Sequence, residues 1–303
     1  MATKGVKSRI SSVKNIQKIT RAMEMVAAAR LRRAEQRIEH LRPYAGAIRR
    51  MTRQAAEAAG NIPNVPILDE RESEATVAIL LVTGDRGLAG AFNSQIIRAG
   101  IRAGSEYEAE GKTVVYYASG RRGVSSLTFR KKELAGQYIG FTDRPAYANA
   151  REIANDLTVA FVDGDVDRVE IFYNGYVSAL TQEVKRETLL PLQEASIFDD
   201  SRAAGDETEE EKSDSGHHAL VEYEPDPEEI LRRLVPEYVQ ISVYRALLES
   251  TASEHGARMT AMRNASENAG DLIKDLTLQM NRERQAEITQ EIMEVVAGAE
   301  SVS

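Results

Sequence analysis

Cysteine is absent from the 303 residues, and so is tryptophan. The first absence excludes disulfides and thiolate metal sites. Four histidines, His40, His217, His218 and His255, show no ligand spacing, so they suggest no zinc or catalytic cluster. Aromatic residues make up only 6% of the chain. A protein built around one large core usually carries more aromatic mass, so part of this chain is expected to pack in another way. No apolar run reaches the roughly 18 residues that a bilayer-spanning helix needs. The opening "MATKGVKSRISSV" has no apolar h-region, so no secretory signal is expected. The expectation is a soluble intracellular protein, free to attach to a membrane complex.

Charge of one sign is scarce at one end. Residues 1–53 hold 14 Lys or Arg but only three acids, Glu24, Glu35 and Glu39. That segment carries a net +11 within a chain of net charge −8. A basic arm on an acidic body fits nucleic acid, acidic lipid or an acidic protein partner.

Residues 1–60 read as one long helix. Val13, Ile16, Thr20, Met23 and Ala27, then Ala34, Leu41, Ala45, Ile48, Thr52 and Ala55, recur at the steps of a coiled-coil seam. Fifty-five helical residues would span roughly 80 Å, too long to lie on one small domain. Pro43 is expected to kink or weaken the helix locally. The stretch "GNIPNVPILDE" ends it.

Residues 74–197 change character. Apolar strands are expected at 75–85, 112–119 and 166–180, with helices at 91–110, after Ser119, and at 144–164. Alternating strands and helices imply a small α/β unit with a largely parallel sheet. Residues 198–219 follow, with eight acids against Arg202 and Lys212 and almost nothing apolar, and read as a solvated flexible loop. From 225 to 299 the helical pattern returns. Ile241, Tyr244, Leu248, Thr251, Arg258, Met262, Ala265, Ala269, Leu272 and Leu276 mark its seam. Two long helices, one at each end, bury their seams most simply against each other as an antiparallel coiled coil. The fold class expected is therefore α/β with a long α-helical coiled coil and a Rossmann-like domain.

One stretch looks built for phosphate: "ILLVTGDRGLAGAFN", residues 79–93, with Gly84, Gly87 and Gly90 between a strand and a helix. A P-loop needs G-x-x-x-x-G-K-[ST], and a dinucleotide loop needs G-x-G-x-x-G with an acid ending the second strand. The spacing here is G-x-x-G-x-x-G, and the second strand ends in Ala118, Ser119 and Gly120. Both patterns fail. A tight turn, with Asp85 and Arg86 in a polar surface contact, is the better reading. No Ser-His-Asp or Cys-His set is visible either, which favours a mechanical or interaction role over bond-making chemistry.

Three stretches resemble the gamma subunits of F-type ATP synthases: "KNIQKITRAMEMVAAARLRRA" (14–34), "TGDRGLAGAFN" (83–93) and "RQAEITQEIMEVVAGAES" (284–301). "EPDPEEIL" and "ASEHGARMTAMRNASENAGDLI" (252–273) resemble them too. The resemblance implies a non-catalytic rotor shaft with no cofactor, its glycine loop holding no nucleotide. It implies partners in the alpha and beta subunits of the catalytic ring, the epsilon subunit and the membrane c-subunit ring, with no nucleic acid. It also implies rotor–stator contacts at Met23, Arg284, Gln285 and Thr289, although Arg284 could instead pair within its helix with Glu287 or Glu291. Tyr223 and Glu224 are the expected foot residues. Arg30, Arg32, Arg33, Arg37, Arg49, Arg50 and Arg53 would ring the shaft where it meets acidic neighbours. The expected location is the cytoplasmic face of a bacterial membrane, as a peripheral protein. Chloroplast members carry a cysteine-bearing insert near the place of the acidic loop, and this chain has the loop without the cysteines. A nucleic-acid-binding coiled coil and a Rossmann-type nucleotide-binding enzyme are the competing readings.

Overall fold

The structure is a computed structural model that describes residues 2–59, 67–68, 71, 73–179, 181–192 and 227–300. The chain divides into two compact units: Met1–Ala28 with Arg258–Ser303, and Ala29–Ala257.

The second unit is built on a five-stranded sheet in the order β3-β2-β1-β4-β5. β1 (Thr76–Val82) pairs in parallel with β2 (Thr113–Ser119) and β4 (Arg168–Tyr176). β3 (Leu134–Tyr138) extends the parallel set, and β5 (Gln182–Leu190) closes the other edge antiparallel to β4. The sheet is thus largely parallel, as expected, and β3 and β5 add two strands to the three expected from the sequence.

β1 explains itself. Every residue from Val77 to Val82 is buried, and successive side chains point to opposite faces. Ala78, Leu80 and Val82 enter one core with α4 (Tyr147–Val162) and the first third of α5 (Pro227–Glu300). Val77, Ile79 and Leu81 enter the other core with α2 (Phe92–Ala109) and α3 (Arg121–Phe129). A strand covered on both faces needs an unbroken apolar run, which this sequence supplies.

α1 (Ala2–Ala59) continues as one helix through Pro43. Its buried positions include Val6, Ile10, Thr20, Ala27, Leu31, Ala34, Ile48, Thr52 and Ala55, which share one stripe at steps of three and four. In the second unit, Ile48 packs against Leu234 and Ile241, while Ala55 meets Leu231. In the first unit, Val6 and Ile10 pack on Leu276, Gln17 Nε2 donates to the Ser266 carbonyl at 3.2 Å, and Arg263 pairs with Glu24 at 2.9 Å. Within each unit, rising numbers on α1 meet falling numbers on α5, so the helices pair antiparallel. Two expected seam residues lie outside the seam: Ile16 is 53% exposed and Leu272 is 47% exposed. Gln17 and Ile273 take their places.

One ionic cluster on the sheet centres on a buried carboxylate. Glu170, only 3% exposed, accepts from Tyr107 Oη at 2.7 Å and from Arg186 Nε at 2.9 Å. The guanidinium of Arg186 lies over the rings of Tyr107 and Phe172. The cluster ties α2, β4 and β5 together. Burial, reinforced by the Glu170 hydrogen bond, holds the Tyr107 hydroxyl above the usual tyrosine pKa.

Gly120 links β2 to α3 at φ +95°, where an added Cβ would overlap the Thr83 carbonyl. Gly120→Ala is expected to cost at least about 2 kcal/mol, combining left-handed strain with a backbone clash. A urea midpoint that does not fall would contradict this.

Candidate functional site

The glycine turn after β1 is held from within. Gly84 N donates to Asn93 Oδ1 at 2.8 Å, and Asn93 Nδ2 donates to the Arg86 carbonyl at 3.3 Å. Gly84 is required by close approach: an added Cβ would sit 2.7 Å from the carboxylate of Glu254 on α5. The Asp85 carboxylate is the centre of the turn. Its Oδ1 accepts from Arg121 N at 3.0 Å. Its Oδ2 accepts from Gly140 N at 2.9 Å, Thr142 N at 3.2 Å and Thr142 Oγ1 at 3.0 Å.

The other α3 amides near the turn are also taken. Arg122 N donates to the Gly84 carbonyl at 3.1 Å, and Gly123 N donates to Thr83 Oγ1 at 2.9 Å. In a phosphate-binding loop these N–H groups at a helix N-terminus would face the ligand. Here Asp85 supplies the anion from within the chain. Burial works to raise its pKa, but the donors from Gly140, Arg121 and Thr142 outweigh burial and hold the carboxyl below the usual aspartate value. The expected surface contact is therefore a structural hub. Arg86 departs from it and lies 3.3 Å from Asp143 Oδ2, a carboxylate that also pairs with Arg30 at 2.7 Å. Sequence reading missed Asp143, because the loop bearing it follows the unanticipated strand β3.

The expected rotor contacts fall on two separate stretches of the first unit. Met23 is half-buried beside the Glu24–Arg263 pair. Arg284, Gln285 and Thr289 are exposed and lie 21 or more residues further along α5 than Arg263. The Thr289 hydroxyl donates to the Gln285 carbonyl at 2.9 Å, within the helix. None of residues 281–297 is buried, and Ile288, Ile292, Met293, Val295 and Val296 all show large apolar surface. The foot residues Tyr223 and Glu224 and the acidic stretch 198–219 lie outside the described residues. Among the described residues, no group of three or more His, Cys, Asp or Glu is arranged to hold a metal, and no helix is long and apolar enough to cross a membrane.

Comparison with known proteins agrees with this architecture. A family model described as ATP synthase matches residues 2–302. The ATP synthase gamma chain of Rubrobacter xylanophilus is 42% identical over 98% of this chain and 97% of its own length. The sodium ion specific ATP synthase gamma chain of Acetobacterium woodii is 39% identical over 98% of each. Among solved structures, the central stalk and c-ring assembly of the Tetrahymena thermophila mitochondrial ATP synthase contains a chain matching with TM-score 0.59 and 27% identity. That match covers 82% of this chain and 99% of the other. A chain of the Euglena gracilis mitochondrial ATP synthase shares the fold, with TM-score 0.65, 16% identity and 99% and 94% coverage. A motif set in register from end to end, paired terminal helices and a doubly covered sheet thus coincide with nearly full-length likeness to gamma chains: this chain belongs to the ATP synthase gamma-chain family.

Proposed function

We propose that the chain is the turning shaft of a proton-driven F-type ATP synthase, with its catalytic sites on the surrounding alpha and beta subunits. Its tip turns inside that ring. Its foot, with Tyr223 and Glu224, rests on the membrane c-ring and the epsilon subunit at the cytoplasmic face of a bacterial membrane. The observation that carries the reading is the pairing of the two chain ends in the first unit along a seam of three-and-four spacing, with an apolar, unburied α5 tail beyond it. A paired helix resists bending, and an apolar surface can slide in an apolar sleeve without strong directional bonds. To bias a catalytic subunit, the shaft must contact its open and closed states with different free energies. Brief polar contacts from Met23's neighbourhood and from Arg284, Gln285 and Thr289 would supply that difference. An arginine can pair with a carboxylate for part of each turn.

The enzyme alternative finds no support at the glycine turn: Gly84 N and Asp85 N donate to Asn93 and Thr142, and the neighbouring α3 amides serve Asp85, Gly84 and Thr83. The nucleic-acid alternative finds none in a basic run that is partly matched by Asp143.

Truncation after Glu283 tests the reading. Since residues 284–297 bury no side chain, the unfolding midpoint of the isolated chain is expected to stay within the scatter for surface changes, about 0.5 kcal/mol. In the reconstituted complex, ATP-driven ion pumping should fall much further than the amount of assembled complex. Pumping at full strength would contradict the tail's role.

A further inference from the structure

Arg30, Arg33, Arg37 and His40 follow one another on α1 at steps of three, four and three, so they form one stripe. Within the second unit they line a groove of about 540 Å³, together with Asp143 and Arg144 from the loop before α4. The charge is one-sided. Asp143 is the single carboxylate in the lining and is already shared by Arg30 and Arg86. Among the described residues, no carboxylate pairs with Arg33, Arg37 or Arg144. Like charges brought together in a concave surface repel one another, and a bound anion relieves that repulsion.

We propose that this groove binds an oligophosphate anion. Guanidinium forks match phosphate oxygens in pairs, and three arginines of one stripe plus Arg144 offer more such forks than one phosphate can occupy. From Arg30 to His40 the helix rises roughly 15 Å, so the stripe suits a chain of phosphates over a lone orthophosphate. The volume lies in the range of small-ligand sites, whereas a protein surface that docks a partner is commonly flatter and larger. The bound anion bridges α1 to the loop before α4 inside the second unit. The inference stands independently of the rotor reading.

Calorimetric titration of the full chain with tripolyphosphate tests it, with orthophosphate and a glutamate-rich peptide as competitors. The expected result is tripolyphosphate binding that weakens with salt and falls at least about tenfold in the Arg33→Gln/Arg37→Gln double variant. It should hold in an Arg98→Gln/Arg102→Gln variant on α2. Equal binding by orthophosphate, or undiminished binding in the groove variant, would overturn the proposal. Tighter binding of the acidic peptide would overturn it too, and would make the groove a protein-docking surface.

Discussion

Covalent attachment of the shaft tip to the catalytic ring is expected to all but abolish steady-state ATP turnover, reversibly. Ala286 on α5 is exposed and sits between Gln285 and Thr289, so Ala286→Cys removes no packing. The chain contains no cysteine of its own, so Ala286→Cys supplies the only thiol through which this chain can form a disulfide to a cysteine introduced on a facing beta subunit. If catalysis in the ring requires successive subunits to meet different faces of the shaft, the oxidised complex can complete at most a partial cycle. Reduction should restore the rate of the unlinked complex, which separates locking from damage. Multisite turnover that persists at full rate in the oxidised complex would show that rotation through this chain is not required.

The second large effect is on stability. Asp85→Ala should destabilise the second unit by about 3 kcal/mol. The substitution leaves Arg121 N, Gly140 N, Thr142 N and Thr142 Oγ1 without their shared acceptor. Hydrogen bonds to a charged group contribute roughly 1.5–3 kcal/mol each, and these four act on one carboxylate, so their contributions do not simply add. The pH dependence has a definite sign. A carboxyl whose folded pKa lies below its unfolded value near 3.8 gives its stabilisation in full above that value. The contribution is lost as pH falls through the lower, folded pKa. Wild type and Asp85→Ala should therefore differ most in urea midpoint at neutral pH and converge only in strong acid. A gap below about 1 kcal/mol at pH 7 would mean that the turn is held by something else.

How much of this was legible in the chain depends on the residues concerned. β1 announced itself because a strand covered on both faces must be apolar throughout. β5 did not, since "QEVKRETLL" is mostly polar. Its charges are matched only by residues distant in sequence: Arg186 by Glu170, Glu187 by Arg245, and Lys185 by Glu249. β3 shows one buried residue in five and contains Gly136, so neither alternation nor propensity marks it. The helical seams were readable to within one residue. Ile16 is more apolar than Gln17, yet the register places Gln17 against Ser266, where its amide finds a carbonyl.

The candidate site divides along the same line. That the glycines make a turn was legible from their spacing. That Asp85 closes it was not, because Gly140 and Thr142 lie 55 and 57 residues away. Met23, Arg284, Gln285 and Thr289 were carried by resemblance, and their side chains point to function only when a surrounding ring is present. The basic run was plain in the composition. Its sorting was not: Arg30 joins an ion pair, while Arg33 and Arg37 open onto a groove.

Direct observation of rotation bears most closely on the central proposal. A visible probe fixed to this chain, in an alpha-beta ring held to a surface and supplied with ATP, is predicted to turn continuously in one direction at a rate that tracks ATP consumption. Steady ATP consumption with the probe stationary would contradict it.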